Sequence, residues 1–263
     1  MEKFTIYLAG DSTVQSYRNQ VKPITGWGQV LHACFEEGAK RENQDGCDWM
    51  GFGRKSDSSF EQSIIYETSK VSIDNRAMAG RSSRSYFDEG RLKDIQTSMK
   101  KGDYLFIQFA HNDANVQKEE RYVTTKQYEE YLLKYVNAAR SCGAQPVFVT
   151  AIAMRECDEK GAFNVSFPDY RDKMIETGDK YDIAVLDLGK DSAEYLNMIG
   201  EEKSKELYMW LEAGKYDGYL QGKQDNAHLQ EKGAMIYAKL LAKQIHLYDK
   251  DDRLDKIKCF LRK

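Results

Sequence analysis

Apolar, β-branched and aromatic residues gather into short runs at Phe4–Gly10, Val71–Ala77, Tyr104–Ala110, Gln145–Ala153 and Ile183–Leu188. Polar residues are few in four of these runs, as expected of strands buried on both faces, while Val71–Ala77 carries Ser72, Asp74, Asn75 and Arg76 among its apolar positions. Between them the hydrophobic period changes to that of a helix. Lys126–Ser141 places Tyr128, Leu132, Tyr135, Val136 and Ala139 on one stripe, and Gln230–Leu247 does the same with Ala234, Tyr237, Ala238, Leu241 and Ile245. Strands alternating with helices predict an α/β fold with a parallel sheet covered on both faces. In a flavodoxin-like order 2-1-3-4-5, the carboxyl ends of the first three strands lie side by side over one crevice.

Two segments break the alternation. Arg41–Ser59 is polar and glycine-rich, with Trp49 and Phe52 inside it, and reads as a long surface excursion (41–59). The charged tail Asp249–Lys263 reads as a short docking helix or a frayed end. With 263 residues, 3 prolines and no repeat or interdomain linker, one domain spanning 1–263 is the expectation.

Composition narrows the partners. A net charge of −3 points to no nucleic-acid partner, and no apolar run reaches membrane-spanning length. The five cysteines, Cys34, Cys47, Cys142, Cys157 and Cys259, are odd in number and lack metal-ligand or C-x-x-C spacing. They are expected to be free buried thiols in a reducing compartment. Phe4–Gly10 is too short for a secretory core before Asp11 interrupts it, so a cytoplasmic location is expected. No metal or other cofactor and no membrane partner is expected, and a homodimer is left open. The 17 tyrosines suit packing, and also sugar binding, where a flat ring and a hydroxyl act together.

The candidate chemistry sits at the strand ends. Gly10-Asp11-Ser12-Thr13-Val14 comes after the first strand, Met78-Ala79-Gly80-Arg81-Ser82-Ser83 after the second and His111-Asn112-Asp113 after the third. Asp225-Asn226-Ala227-His228 precedes the last helix. Acyl transfer by a hydroxyl needs a base, and histidine suits because it titrates near neutrality. A carboxylate on the other imidazole nitrogen fixes the tautomer and stabilises the imidazolium. Ser12, His228 and Asp225 are therefore the expected nucleophile, base and orienting acid. The oxyanion needs preorganised donors. The backbone N–H groups of Ser12 and Gly80 and the amide of Asn112 would supply them. His111 is a rival base, with a structural histidine behind the site as its alternative role. Asp11 and Asp113 are expected to order their loops. Gly10-Asp11-Ser12 lacks the glycine pattern and lysine of a phosphate-binding loop.

These blocks resemble the SGNH (GDSL-like) hydrolase family, whose four motif residues are matched in order by Ser12, Gly80, Asn112 and His228. The likeness runs from Ile6 to about Leu241. Gly10-Asp11-Ser12-Thr13, Gly26-Trp27-Gly28, Asn75-Arg76-Ala77, Gly80–Ser85 and His111-Asn112-Asp113 are most similar to the rhamnogalacturonan acetylesterase branch. Ala110 and Ala227 depart from it, standing where the branch usually carries Gly and Thr. The resemblance implies a three-layer α/β/α sandwich, a Ser-His-Asp triad, no metal, and removal of acetyl groups from pectic sugars.

An acetylated oligosaccharide is then the expected partner. Trp27, Arg81 and His111 are the candidate substrate contacts; burial of Trp27 and internal salt bridges for Arg81 and Arg84 are the competing roles. A lipase- or thioesterase-like hydrolase of other acyl esters needs an apolar groove, and the Arg- and Tyr-rich loops argue against one. A non-catalytic carbohydrate-binding protein on this scaffold would not need the complete triad.

Overall fold

The computed structural model describes residues 2–42 and 46–262. Strands β1 (Phe4–Gly10), β2 (Arg54–Lys55), β3 (Ile64–Glu67), β4 (Val71–Asn75), β5 (Tyr104–Gln108), β6 (Gln145–Val149) and β7 (Ala184–Leu186) form one sheet, in the order β2-β3-β4-β1-β5-β6-β7. From β4 to β7 neighbouring strands run parallel, which is the 2-1-3-4-5 order. β3 and β2 then extend the β4 edge antiparallel.

The sheet separates two cores, because successive side chains on a strand face opposite ways. Ile6, Leu8, Tyr104, Phe106, Val147 and Val149 face one core. The short α1 (Trp27–Val30), α6 (Leu188–Ser204, broken at Gly200) and α7 (Glu231–Leu247) contribute its other wall. Tyr7, Ala9, Leu105, Ile107 and Phe148 face the second core. It is closed by α2 (Ser83–Asp88), α3 (Arg91–Ser98), α4 (Thr125–Ser141) and α5 (Pro168–Tyr181). Helices thus cover both faces of a mostly parallel sheet. Capping boxes start α2 at Ser82 and α4 at Thr124, and α5 begins on Pro168, whose ring is pre-set for a first helical turn.

The 41–59 segment is not a simple surface loop, although residues 43–45 lie outside the described residues. Asp48 is buried, accepting from Gln29 Nε2 at 3.1 Å and from Phe52 N–H at 2.9 Å, and β2 is laid against the sheet edge. The tail docks rather than frays. It forms α8 (Asp255–Lys258), buries Leu254, Ile257 and Leu261, and bridges Leu261 to Phe35. The thiols correct the expectation of burial: all five are free, but Cys34 alone is buried, while Cys157 and Cys259 are exposed. No described helix is long and apolar enough to cross a membrane.

Between α6 and α7 the chain makes an antiparallel hairpin, β8 (Tyr208–Leu211) with β9 (Lys223–Leu229). Its register jumps: Met209 faces Asp225, whereas Tyr208 faces Leu229. Asn226, Ala227 and His228 are therefore bulged out of the ladder. Bulges of this kind re-aim side chains beside active sites.

Candidate active site

Along Ile6–Tyr17 every residue is buried except Ser12. The turn that presents it is braced from several sides. Asp11 Oδ1 accepts from the N–H (2.9 Å) and hydroxyl (2.8 Å) of Thr13. Gln108 Nε2 donates to Thr13 Oγ1 at 2.7 Å, and Trp27 Nε1–H donates to Gln108 Oε1 at 2.9 Å. Asn75 Nδ2 donates to Val14 C=O at 2.7 Å, and Tyr17 Oη–H to Ser12 C=O at 2.7 Å. α1 must pass close to this turn. A Cβ on Gly28 would lie 2.6 Å from Val14 O and 2.8 Å from Asn75 Nδ2, so the position accommodates only hydrogen without a shift.

Gly80 lies beyond β4 in a turn with φ +76°, where glycine is favoured. The neighbouring Ala79 N–H donates to Gln15 Oε1 at 2.5 Å, tying this turn to the Ser12 turn. Asn112 lies beyond β5. Its Nδ2 donates to Arg81 C=O at 3.1 Å and its Oδ1 accepts from Arg121 Nη1 at 3.4 Å. Ala110, with φ 158°, is close enough to extended backbone for alanine to replace the usual glycine. Since β4, β1 and β5 are neighbours, Gly80, Ser12 and Asn112 stand at the carboxyl ends of three adjacent strands. Neither the Ser12 nor the Gly80 N–H donates to another group among the described residues.

On the bulge, His228 Nδ1–H donates to Asp225 Oδ2 at 2.9 Å. Asp225 Oδ1 accepts from the Ala227 and His228 N–H groups, each at 2.9 Å, and Lys223 Nζ sits 3.0 Å from Oδ2. Partial burial opposes the charged carboxyl. The His228 hydrogen bond and charge, with the two backbone donors, outweigh it and hold Asp225 well below the usual carboxylate range. Leu229 C=O accepts from Thr25 N–H at 2.9 Å, and Gly26 N–H donates to Gln15 C=O at 3.1 Å, so the bulged strand is tied back to the Ser12 turn.

Of the three expected substrate contacts, Trp27 and His111 are enclosed and Arg81 is partly exposed. Trp27 is 1% exposed and its indole N–H is held by Gln108, so it supports the Ser12 turn instead of walling a crevice. Arg81 is paired at the surface with Glu89 at 2.9 Å and donates to Ala79 C=O at 2.9 Å. His111 lies with Nδ1 3.3 Å from Asp11 Oδ2 and its ring edge-on to Phe167. Among the described residues no three His, Cys, Asp or Glu side chains gather as a metal site.

A model of the family described as GDSL-like Lipase/Acylhydrolase matches residues 6–241. The chain belongs to this family. Rhamnogalacturonan acetylesterase RhgT of Bacillus subtilis is 34% identical over 240 residues, 91% of this chain and 88% of that one. Among solved structures, the YXIM protein of Bacillus subtilis superposes with a TM-score of 0.69 at 22% identity; 93% of this chain is covered but only 56% of that one. A catalytic mutant of Axe2, an acetylxylan esterase from Geobacillus stearothermophilus, superposes with a TM-score of 0.55 at 15% identity, covering 93% and 95% of the two chains. At those identities the structural likenesses speak for the fold alone.

For a GDSL hydrolase the parts that a serine-based acyl transfer needs are present: an accessible hydroxyl, an imidazole held by a carboxylate, and three donors at the ends of adjacent strands; no hydrogen bond joins Ser12 to His228 among the described residues. Two charged neighbours of the site carry no signal in the sequence. Lys223 is two residues before Asp225, so on a strand it shares a face with it, but the polar run Lys223–His228 gives no strand pattern. Arg121 lies nine positions past Asn112 in a charged loop, and no spacing rule brings it back to the site.

Proposed function

We propose that this GDSL hydrolase is a serine esterase that removes O-acetyl groups from pectic, rhamnogalacturonan-type oligosaccharides. In this reading Ser12 Oγ attacks the acetyl carbonyl as His228 takes its proton, and Asp225 stabilises the imidazolium. The tetrahedral oxyanion is met by the N–H groups of Ser12 and Gly80 and the free N–H of the Asn112 amide. Collapse expels the sugar alkoxide, which receives the proton from His228 and leaves an acetyl-Ser12 ester. Water, activated by the same histidine, then releases acetate.

One observation carries the mechanism: His228 Nδ1–H is locked onto a carboxylate that three further donors keep ionised. The substrate class is supported by the 34% identity to a relative named rhamnogalacturonan acetylesterase. Arg81, Arg84 and Arg121 around the Gly80 turn also favour a polar substrate over a long acyl chain. Free thiols, two of them exposed, support a reducing compartment.

The test compares acetate release from acetylated rhamnogalacturonan and acetylated xylan with hydrolysis of p-nitrophenyl esters of increasing chain length. Release from the pectic substrate, with the ester series highest at acetate or propionate, is expected. A peak at octanoate or longer with no release from either glycan would replace this reading with a lipid or thioester hydrolase.

A further inference from the structure

One cation outside the triad converges on two of the three oxyanion donors. Arg121 sits on the loop beyond Asn112 and Asp113. Val123 N–H closes the base of that loop on Asp113 C=O at 3.1 Å, and Arg121 N–H turns back onto Lys118 C=O at 2.8 Å. The guanidinium is thereby folded over the Gly80 turn: a Cβ built on Gly80 would lie 3.4 Å from Arg121 Nη1 and 3.6 Å from its Cζ. The same Nη1 donates to Asn112 Oδ1 at 3.4 Å.

The amide of Asn112 is constrained at both ends. Its Oδ1 is held by Arg121, and one of its two Nδ2 protons is held by Arg81 C=O. A single N–H is left, and the two contacts fix which way the amide faces. Were it to flip, a carbonyl oxygen would take the place of the donor and repel the oxyanion. The charge of Arg121 is only loosely matched. Its ion-pair partner, Glu120, is 3.5 Å away and 63% exposed, so water screens the pair.

We propose that Arg121 is a positioning residue of the oxyanion site: it orients the Asn112 amide with its N–H outward and sets a cation beside the oxygen that becomes negative. The inference rests on the serine esterase reading. At 3.4 Å the hydrogen bond is long and a weak clamp, so part of the effect comes from the guanidinium charge. Lysine, with the charge but without the planar fork, therefore restores part of the function.

The experiment measures kcat and KM of Arg121→Ala and Arg121→Lys, each in the wild-type and the Asn112→Ala background. The substrate is p-nitrophenyl acetate, which carries no carboxylate for an arginine to bind. Ser12→Ala is run in the same series, with circular dichroism on every variant. Arg121→Ala is expected to lower kcat about tenfold or more with KM little changed, a fraction of the effect of deleting a direct oxyanion donor. Arg121→Lys should recover part of the loss, and Arg121→Ala should cost less once Asn112 is already alanine. Unchanged kcat in a folded Arg121→Ala would overturn the proposal. So would equal losses in the two backgrounds, or a loss confined to KM. A folded Ser12→Ala that retains turnover would sink the esterase reading and this proposal together, whereas an inactive Ser12→Ala beside a normal Arg121→Ala counts against Arg121 alone.

Discussion

Ser12 reaches solvent from a stretch whose other residues are buried, and His228 meets its carboxylate within its own bulge. The two histidines near strand ends have opposite surroundings. His228 is about a third exposed and bonded to Asp225, while His111 is largely enclosed between Asp11 and Phe167. His228→Ala should therefore remove the chemical step and His111→Ala should reduce it far less; single-turnover rates of both folded variants are the check, and an inactive His111→Ala beside an active His228→Ala would reverse the assignment. Asn112→Ala should lower kcat by about a hundred- to a thousandfold with KM nearly unchanged, since its free N–H acts when the oxyanion forms. Asp113 carries a different signal. Burial pushes its carboxyl up to about 7, against the hydrogen bonds from Ser83 and with help from the charge of Asp11. The native state thus keeps a proton that the unfolded chain gives up near the ordinary carboxylate value. Its contribution to stability falls as pH rises across that window. Asp113→Asn keeps the acceptor for Ser83 without the ionisation. Its melting temperature relative to wild type should rise between about pH 5 and pH 8. A constant difference would show that Asp113 does not titrate there.

Among the elements, the five parallel strands were legible because burial on both faces favours apolar runs, β4 least so with Ser72, Asp74 and Asn75 buried within it, and α4 and α7 because one face of each meets a core. β3 was not, since Ile64–Glu67 is a short strand near the sheet edge with only alternate residues buried. β9 was invisible to pattern for a stronger reason: Lys223–Leu229 is almost wholly polar, and its place is set by pairing with β8. Asp225 and His228 were found by chemical requirement, not by periodicity. The close passage of α1 was legible only as a resemblance, in Gly26-Trp27-Gly28. Its physical reason is contact: a methyl at Gly28 would enter the Asn75–Val14 hydrogen bond that braces the Ser12 turn. Gly28→Ala should cost about 1–3 kcal/mol of stability and lower kcat, read by denaturant unfolding and steady-state rates. A variant with wild-type stability and rate would mean that this passage is not a constraint.

At the scale of the whole molecule, the sheet order puts three of the site's blocks on neighbouring strands, and the hairpin after α6 carries the fourth, its strand tied through Leu229 to Thr25 beside the Ser12 turn. The tail is part of the same body, because Leu254, Ile257 and Leu261 are buried against the core that α7 lines. Deleting 249–263 exposes that surface and should lower the melting temperature markedly, at roughly 1.5–3 kcal/mol per buried side chain lost. What stayed illegible at this scale is the charge around the crevice. Arg81 turns to Glu89 while Arg121 turns toward Asn112, and only the packed loops decide which does which. The claim that this is a serine acetylesterase of pectic sugars stands or falls on acetate release from acetylated rhamnogalacturonan oligosaccharides by the wild-type protein and by folded Ser12→Ala, side by side. Release by the wild type is predicted, with a loss of several powers of ten in the variant. Near-normal release by Ser12→Ala, or none by the wild type while it hydrolyses long-chain esters, would contradict that claim.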